Sequence, residues 1–141
     1  MNLVLDFGNT KIKAAVFSET NEIVEFFTWD AYNERVIDEI KAKYLIENVL
    51  LCSVVAVSEE IEQHLKSNFS FYIKLDSSTK LPIKNNYSTP HTLGLDRIAA
   101  AVGANMMSPN TPLLVIDMGT AITYDFVNSS NEYEGGNIAP G

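Results

Sequence analysis

One pattern occurs twice in this chain, and it limits the possible folds more than any other feature. Leu3-Val4-Leu5-Asp6-Phe7-Gly8-Asn9-Thr10 and Val115-Ile116-Asp117-Met118-Gly119-Thr120 each run from an apolar strand into Asp-x-Gly, with a threonine at or just past the turn. A second alternating strand follows each copy. Asp6 and Asp117 stand 111 positions apart, a spacing that means two domain-sized units and not a solenoid. The residue types suit an anion. Glycine lets the backbone approach a phosphate and can adopt positive φ, and successive N–H groups at such a turn make a concave anion site. Threonine and asparagine side chains add donors. An aspartate at the strand end offers oxygen to a hard cation or its bound water. A single Asp-x-Gly reads as an ordinary hairpin turn. Two matched copies, each behind a fully apolar strand, point instead to phosphate binding, with both turns lining one crevice around a triphosphate.

Composition narrows the function classes. A chain of 141 residues with 46 % hydrophobic and 20 % charged residues can bury a core. No apolar run approaches the roughly 18 residues that span a bilayer, and Met1 to Asp6 lacks the charge and length of a signal peptide. The lone Cys52 excludes an internal disulfide and fits a cytoplasmic protein. A net charge of −8, spread along the chain, argues against nucleic acid and anionic lipid as partners. ATP stays open, because backbone N–H groups and a divalent cation can hold phosphates without net positive charge.

Periodicity predicts an antiparallel meander over 2–7, 11–17 and 22–29, then a helix over 31–44 capped by Asp30 with Tyr32, Val36, Ile40 and Tyr44 on one face. An apolar run at 49–55 reads as a strand buried on both faces. Ser58 caps a short helix and 69–75 returns as a strand, so the order predicts an α/β fold with a mixed sheet flanked by helices. Residues 76–92 form a polar loop longer than usual connections, a candidate functional loop. A helix over 95–107 carries Ile98, Val102 and Met106 on one stripe. Its alanines and Gly103 leave the other faces thin, ready for close packing. A strand pair at 113–117 and 121–127 follows. The expected domains are 1–108 and 109–141, with the second incomplete and its strands short of partners.

The stretch Tyr87-Ser88-Thr89-Pro90-His91-Thr92-Leu93-Gly94-Leu95-Asp96-Arg97 leads from the long loop into that helix. Asp96 falls in the first turn, where kinases place a carboxylate to accept the proton of an attacking hydroxyl. The helix N-terminus favours its ionised form, so positioning outweighs basicity. Equally, an aspartate there stabilises a helix without any catalytic role. Arg97 suits a substrate carboxylate or phosphate. His91 and His64 read as surface residues without zinc-ligand neighbours. The tail Tyr133-Glu134-Gly135-Gly136-Asn137-Ile138-Ala139-Pro140-Gly141 reads as a turn or a ligand-approach loop.

Four segments in this order, from Asp6-x-Gly8-Asn9-Thr10 through Gly94-Leu95-Asp96-Arg97 and Asp117-x-Gly119-Thr120-Ala121-x-Thr123 to Gly135-Gly136-x-Ile138-x-Pro140-Gly141, resemble the type III pantothenate kinases. The resemblance implies the duplicated actin-like ATPase (RNase H-like) fold with a five-stranded sheet. It also implies phosphorylation of pantothenate by ATP with Mg2+, a monovalent cation (K+ or NH4+), and a homodimer with the substrate site near the subunit interface. By position, Asp6, Phe7, Gly8, Asn9, Thr10, Lys11, Ile12 and Lys13 correspond to the ATP phosphate loop, and Thr120 to an ATP contact. Asp96 corresponds to the proton acceptor, Tyr87, Gly94, Leu95, Asp96 and Arg97 to pantothenate contacts, and Asp117 to the monovalent-cation ligand. The family continues beyond Gly141, so the chain reads as a fragment with weak or absent activity. A sugar-type kinase of the same architecture and a non-catalytic regulatory relative are the competing readings.

Overall fold

The computed structural model describes residues 1–141, which divide into two compact units, Met1–Asp76 and Ser77–Gly141. In the first, the alternating apolar residues form β1 (Asn2–Phe7), β2 (Ile12–Phe17) and β3 (Ile23–Trp29), followed by α1 (Glu34–Tyr44), β4 (Asn48–Ser53), α2 (Glu59–Asn68) and β5 (Phe71–Lys74). The sheet order is β3-β2-β1-β4-β5, antiparallel on the β3 side and parallel from β1 to β5. This is the mixed five-stranded sheet that the sequence predicts. Leu3, Leu5, Val16, Leu51 and Val49 meet Ile37 and Ile40 of α1 and Leu65 of α2 in one core. At about 25 cal/mol per Å2 of apolar surface, side chains buried this fully each contribute roughly 1.5–3 kcal/mol.

Two local expectations change. The cap of α1 is Asn33, whose side chain accepts from the Arg35 N–H, and the helix begins at Glu34. Asp30 instead pairs with Lys11 at 2.5 Å on the surface. His64 is not solvated: only 11 % of its side chain is exposed. It lies between Tyr32 Oη, 2.5 Å from Nδ1, and Asp38 Oδ1, 3.2 Å from Nε2. With the proton on Nε2, Tyr32 donates to the ring and the ring donates to Asp38, which ties α2 to α1.

The second unit holds β6 (Lys84–Asn85), a 3-10 turn (Pro90–Thr92), α3 (Leu95–Met107), β7 (Leu113–Met118), β8 (Ala121–Val127) and β9 (Glu132–Pro140), with sheet order β6-β9-β8-β7. The long loop therefore contributes a short strand. The glycine-rich tail is a strand paired along β8 and not a loop. Of the strands expected to lack partners, β8 is paired on both sides, β7 keeps an open edge, and β9 meets β6 only at Glu132 and Tyr133. The division into compact units falls ahead of α3, which packs on β7 and β8. The buried line of α3 is Ile98, Ala101 and Asn105, while Met106 is 63 % exposed. The thin faces are open: a Cβ on Gly103 would meet nothing within 4 Å.

Candidate functional site

Each Asp-x-Gly segment ends a strand and enters a hairpin, and the loop is one residue shorter in the second copy. In the first, Asp6 faces Lys13 and Phe7 faces Ile12 across the hairpin, and Gly8 N–H donates to Lys11 O at 3.1 Å. In the second, Asp117 faces Thr123 and Met118 faces Ile122, and Gly119 N–H donates to Ala121 O at 3.0 Å. The glycine amide that the sequence offered to phosphate thus closes the turn in both copies. What remains for an anion in the first turn is the exposed Asn9 and Thr10, whose main-chain N–H groups make no hydrogen bond within the protein, and the exposed Lys13. The side chains of Phe7 and Ile12 lie in the core, so these two residues offer a ligand only their main chain. Lys11 is engaged with Asp30.

In the second turn Asp117 and Thr120 are exposed, and Thr120 O accepts from Gly141 N–H at 3.2 Å. No protein donor reaches the Asp117 carboxylate. A carboxylate oxygen is the kind of ligand a hard cation takes, and Asp117 alone supplies one corner of such a shell.

Asp96 is exposed in the first turn of α3. Its Oδ1 accepts from the Arg97 N–H at 2.9 Å, while Gly94 supplies no side-chain cap. Asp96 thus serves the helix end through Oδ1 alone. A Cβ on Gly94 would stand 2.5 Å from Asp96 Oδ1, so glycine leaves room for that carboxylate. Leu95 opens the helix, half-buried.

Arg97 points into its own unit. Nε donates to both Asp125 oxygens at 3.1 and 3.2 Å, and Nη2 donates to Oδ1 at 2.7 Å. The Asp125 hydrogen bonds hold the guanidinium even more firmly protonated than usual. Tyr133 Oη also donates to Asp125 Oδ1, at 2.5 Å. Burial, then this hydrogen bond, raises the Tyr133 phenol well above its ordinary range. Tyr87, half-buried, packs its ring 6.3 Å from that of Tyr133.

Residues 2–141 match the profile of the type III pantothenate kinase family. The chain belongs to that family. Proteins described as type III pantothenate kinases are 39 % identical in Phocaeicola vulgatus, 40 % in Bacteroides fragilis and 41 % in Azobacteroides pseudotrichonymphae, each over the whole of this chain. The chain spans 57–58 % of the length of these relatives. Among solved structures, the ADPNP-bound activator of a 2-hydroxyisocaproyl-CoA dehydratase from Clostridium difficile superposes with a TM-score of 0.55 at 14 % identity, covering 99 % of this chain and 45 % of that one. A ROK family glucokinase from Streptomyces griseus, in complex with glucose and AMPPNP, gives 0.53 at 16 %, covering 99 % and 47 %. At such identities the likeness shows the fold alone, and that fold is the actin-like ATPase and sugar-kinase architecture.

Sequence reasoning within this pantothenate kinase family missed Asp125 and Tyr133. A signal was present. Asp125 is the one charged residue in the strand 121–127, and it shares a face with Val127, which is 0 % exposed.

Proposed function

We propose that the protein carrying this chain transfers the γ-phosphoryl group of ATP to the primary hydroxyl of pantothenate, giving 4′-phosphopantothenate, the first step toward coenzyme A. The observation that carries this reading is a family match running through residues 2–141, which takes in both Asp-x-Gly turns and the Gly94–Arg97 segment. In this reading the free Asn9 and Thr10 amides and Lys13 bind phosphate oxygens, and Thr120 contacts the nucleotide. Asp96 accepts the hydroxyl proton as the oxygen attacks phosphorus in line with the leaving ADP. Tyr87, Gly94, Leu95 and Arg97 hold pantothenate, with Arg97 on its carboxylate. Asp6 serves Mg2+ through its carboxylate or a bound water, and Asp117 holds K+ or NH4+. When bound, these cations offset charge on the transferring group. The family resemblance adds a cytoplasmic homodimer.

Asp96→Asn in the complete gene product tests the assignment. The expected outcome is a fall in kcat of about 10^2–10^4-fold with ATP binding preserved; unchanged turnover contradicts it. A panel of acceptors separates substrates: phosphorylation of sugars but not pantothenate would overturn the acceptor while keeping the kinase.

A further inference from the structure

We infer that Asp125 is a positioning residue for the acceptor: it fixes the Arg97 guanidinium from behind, so that only the far edge of the fork meets the substrate anion. The inference deepens the proposed function and rests on its reading of Arg97 as the acceptor contact.

Asp125 is 1 % exposed in the middle of β8, and Tyr133 is 0 % exposed. A carboxylate this deep is tolerated only when fully paired, and replacing such a pair with apolar residues is often neutral or stabilising. Stability alone therefore does not call for an ion pair here. What the pair supplies is direction. The contacts from Nε and Nη2 occupy one edge of the planar fork, and Tyr133 Oη is a further donor to the same Asp125 Oδ1. The Arg97 side chain retains 12 % exposure against 1 % for Asp125. The bonds to Asp125 come from Nε and Nη2 and none from Nη1, and one N–H of Nη1 runs parallel to the outer N–H of Nη2, the geometry that suits a carboxylate.

The surrounding backbone is shaped for this anchor. A Cβ on Gly136 would stand 1.7 Å from Tyr124 O and 2.8 Å from Asp125 Oδ1. Gly135 has φ +105°, and a Cβ there would lie 3.0 Å from the Tyr87 ring. The paired glycines that read as a ligand-approach loop thus make room for Asp125 and Tyr87 inside the protein. A lysine at position 97 is a point charge without a planar fork and cannot make two-pronged contacts to Asp125 and an incoming anion together.

The test uses the complete gene product with Asp125→Asn, which keeps the size of the side chain but turns an amide toward Nε. Steady-state kinetics with ATP and pantothenate are expected to show the pantothenate KM raised about 10- to 100-fold, in line with loss of a charge-assisted contact, and the ATP KM within about twofold. Arg97→Lys is expected to raise the same KM as much as Arg97→Ala. A folded Asp125→Asn enzyme with both constants unchanged, or with both raised equally, would overturn the inference. If Asp125→Asn does not fold, Tyr133→Phe removes one hydrogen bond and keeps the ring; a pantothenate KM raised about threefold supports the anchor, and no change sinks it. A second readout needs no substrate. By 15N NMR the Arg97 Nε–H should exchange slowly with water in the wild type and fast in Asp125→Asn or Tyr133→Phe. Absence of pantothenate phosphorylation by the wild type would remove the functional reading while this exchange rate still decides the anchor: equal exchange in wild type and variants disproves it.

Discussion

Leu3, Leu5 and Phe7 occupy the places in the first turn motif that Leu114, Ile116 and Met118 occupy in the second. The first three are 0, 0 and 4 % exposed, and the second three are 63, 51 and 78 % exposed. The two strands differ in their neighbours. β1 pairs with β2 on one edge and β4 on the other, and α1 and α2 close over its Leu3–Leu5–Phe7 face. β7 pairs with β8 alone, and α3 packs with Val127 and Leu113 on the opposite face, the one that also carries Asp117. Alternating apolar residues before Asp-x-Gly therefore specify a strand and a turn. They do not specify which face is covered, because that depends on helices contributed from elsewhere in the chain. What the two regions share is a glycine N–H that donates back across each hairpin turn.

Matched substitutions can break that comparison. Leu5→Ala is expected to destabilise the protein by about 2–5 kcal/mol, as full burial of a leucine dictates. Ile116→Ala should cost under about 1 kcal/mol, since half of the side chain already meets water. Urea unfolding followed by circular dichroism checks both; equal losses would mean that the second face is covered in solution. Within the second unit, Gly136→Ala puts a methyl group against the Tyr124 carbonyl and is expected to cost about 1–3 kcal/mol. Gly103→Ala, on the open side of α3, should stabilise by about 0.5–1 kcal/mol.

The exposed Leu114, Ile116, Met118 and Phe126 form an apolar face of the kind that drives association. Sedimentation of this 141-residue chain should show self-association, and Ile116→Lys should weaken it about tenfold. Identical sedimentation of the two would locate the association elsewhere.

The smallest effect concerns alkaline pH. Burial raises the phenols of Tyr32 and Tyr133, and pushes Tyr72 up to about 12. A group whose folded pKa is raised contributes stability that is present below its unfolded value, about 10 for tyrosine, and lost as pH rises through the folded value. Stability should therefore hold to about pH 10 and decline above it. Tyr133→Phe should flatten that decline for the second unit, and Tyr32→Phe for the first.

Much of the fold was legible because it rests on local alternation. β1, β2, β4, β7 and β8 announce themselves as apolar runs ending at turn residues, and Ser58 caps α2 where its sequence suggests. The misreadings share a cause, which is that partners distant in sequence decided the outcome. Asp30 pairs with Lys11 on the surface, and Asn33 caps α1. Tyr32 and Asp38 drew His64 inward. Gly135 and Gly136 look like a loop until Tyr87 and Asp125 are seen to need their space. In the candidate site, residue types were readable at the turns and at Asp96, while the anchor behind Arg97 was not, since it joins positions 28 residues apart.

The most direct measurement is phosphate transfer from ATP to pantothenate by the complete gene product, followed by 31P NMR with and without K+. The expected result is 4′-phosphopantothenate formed mole for mole with ADP, faster with K+, and a K+ response lost in Asp117→Asn. ATP and pantothenate left unreacted under both conditions would contradict the assignment of these paired turns to phosphoryl transfer.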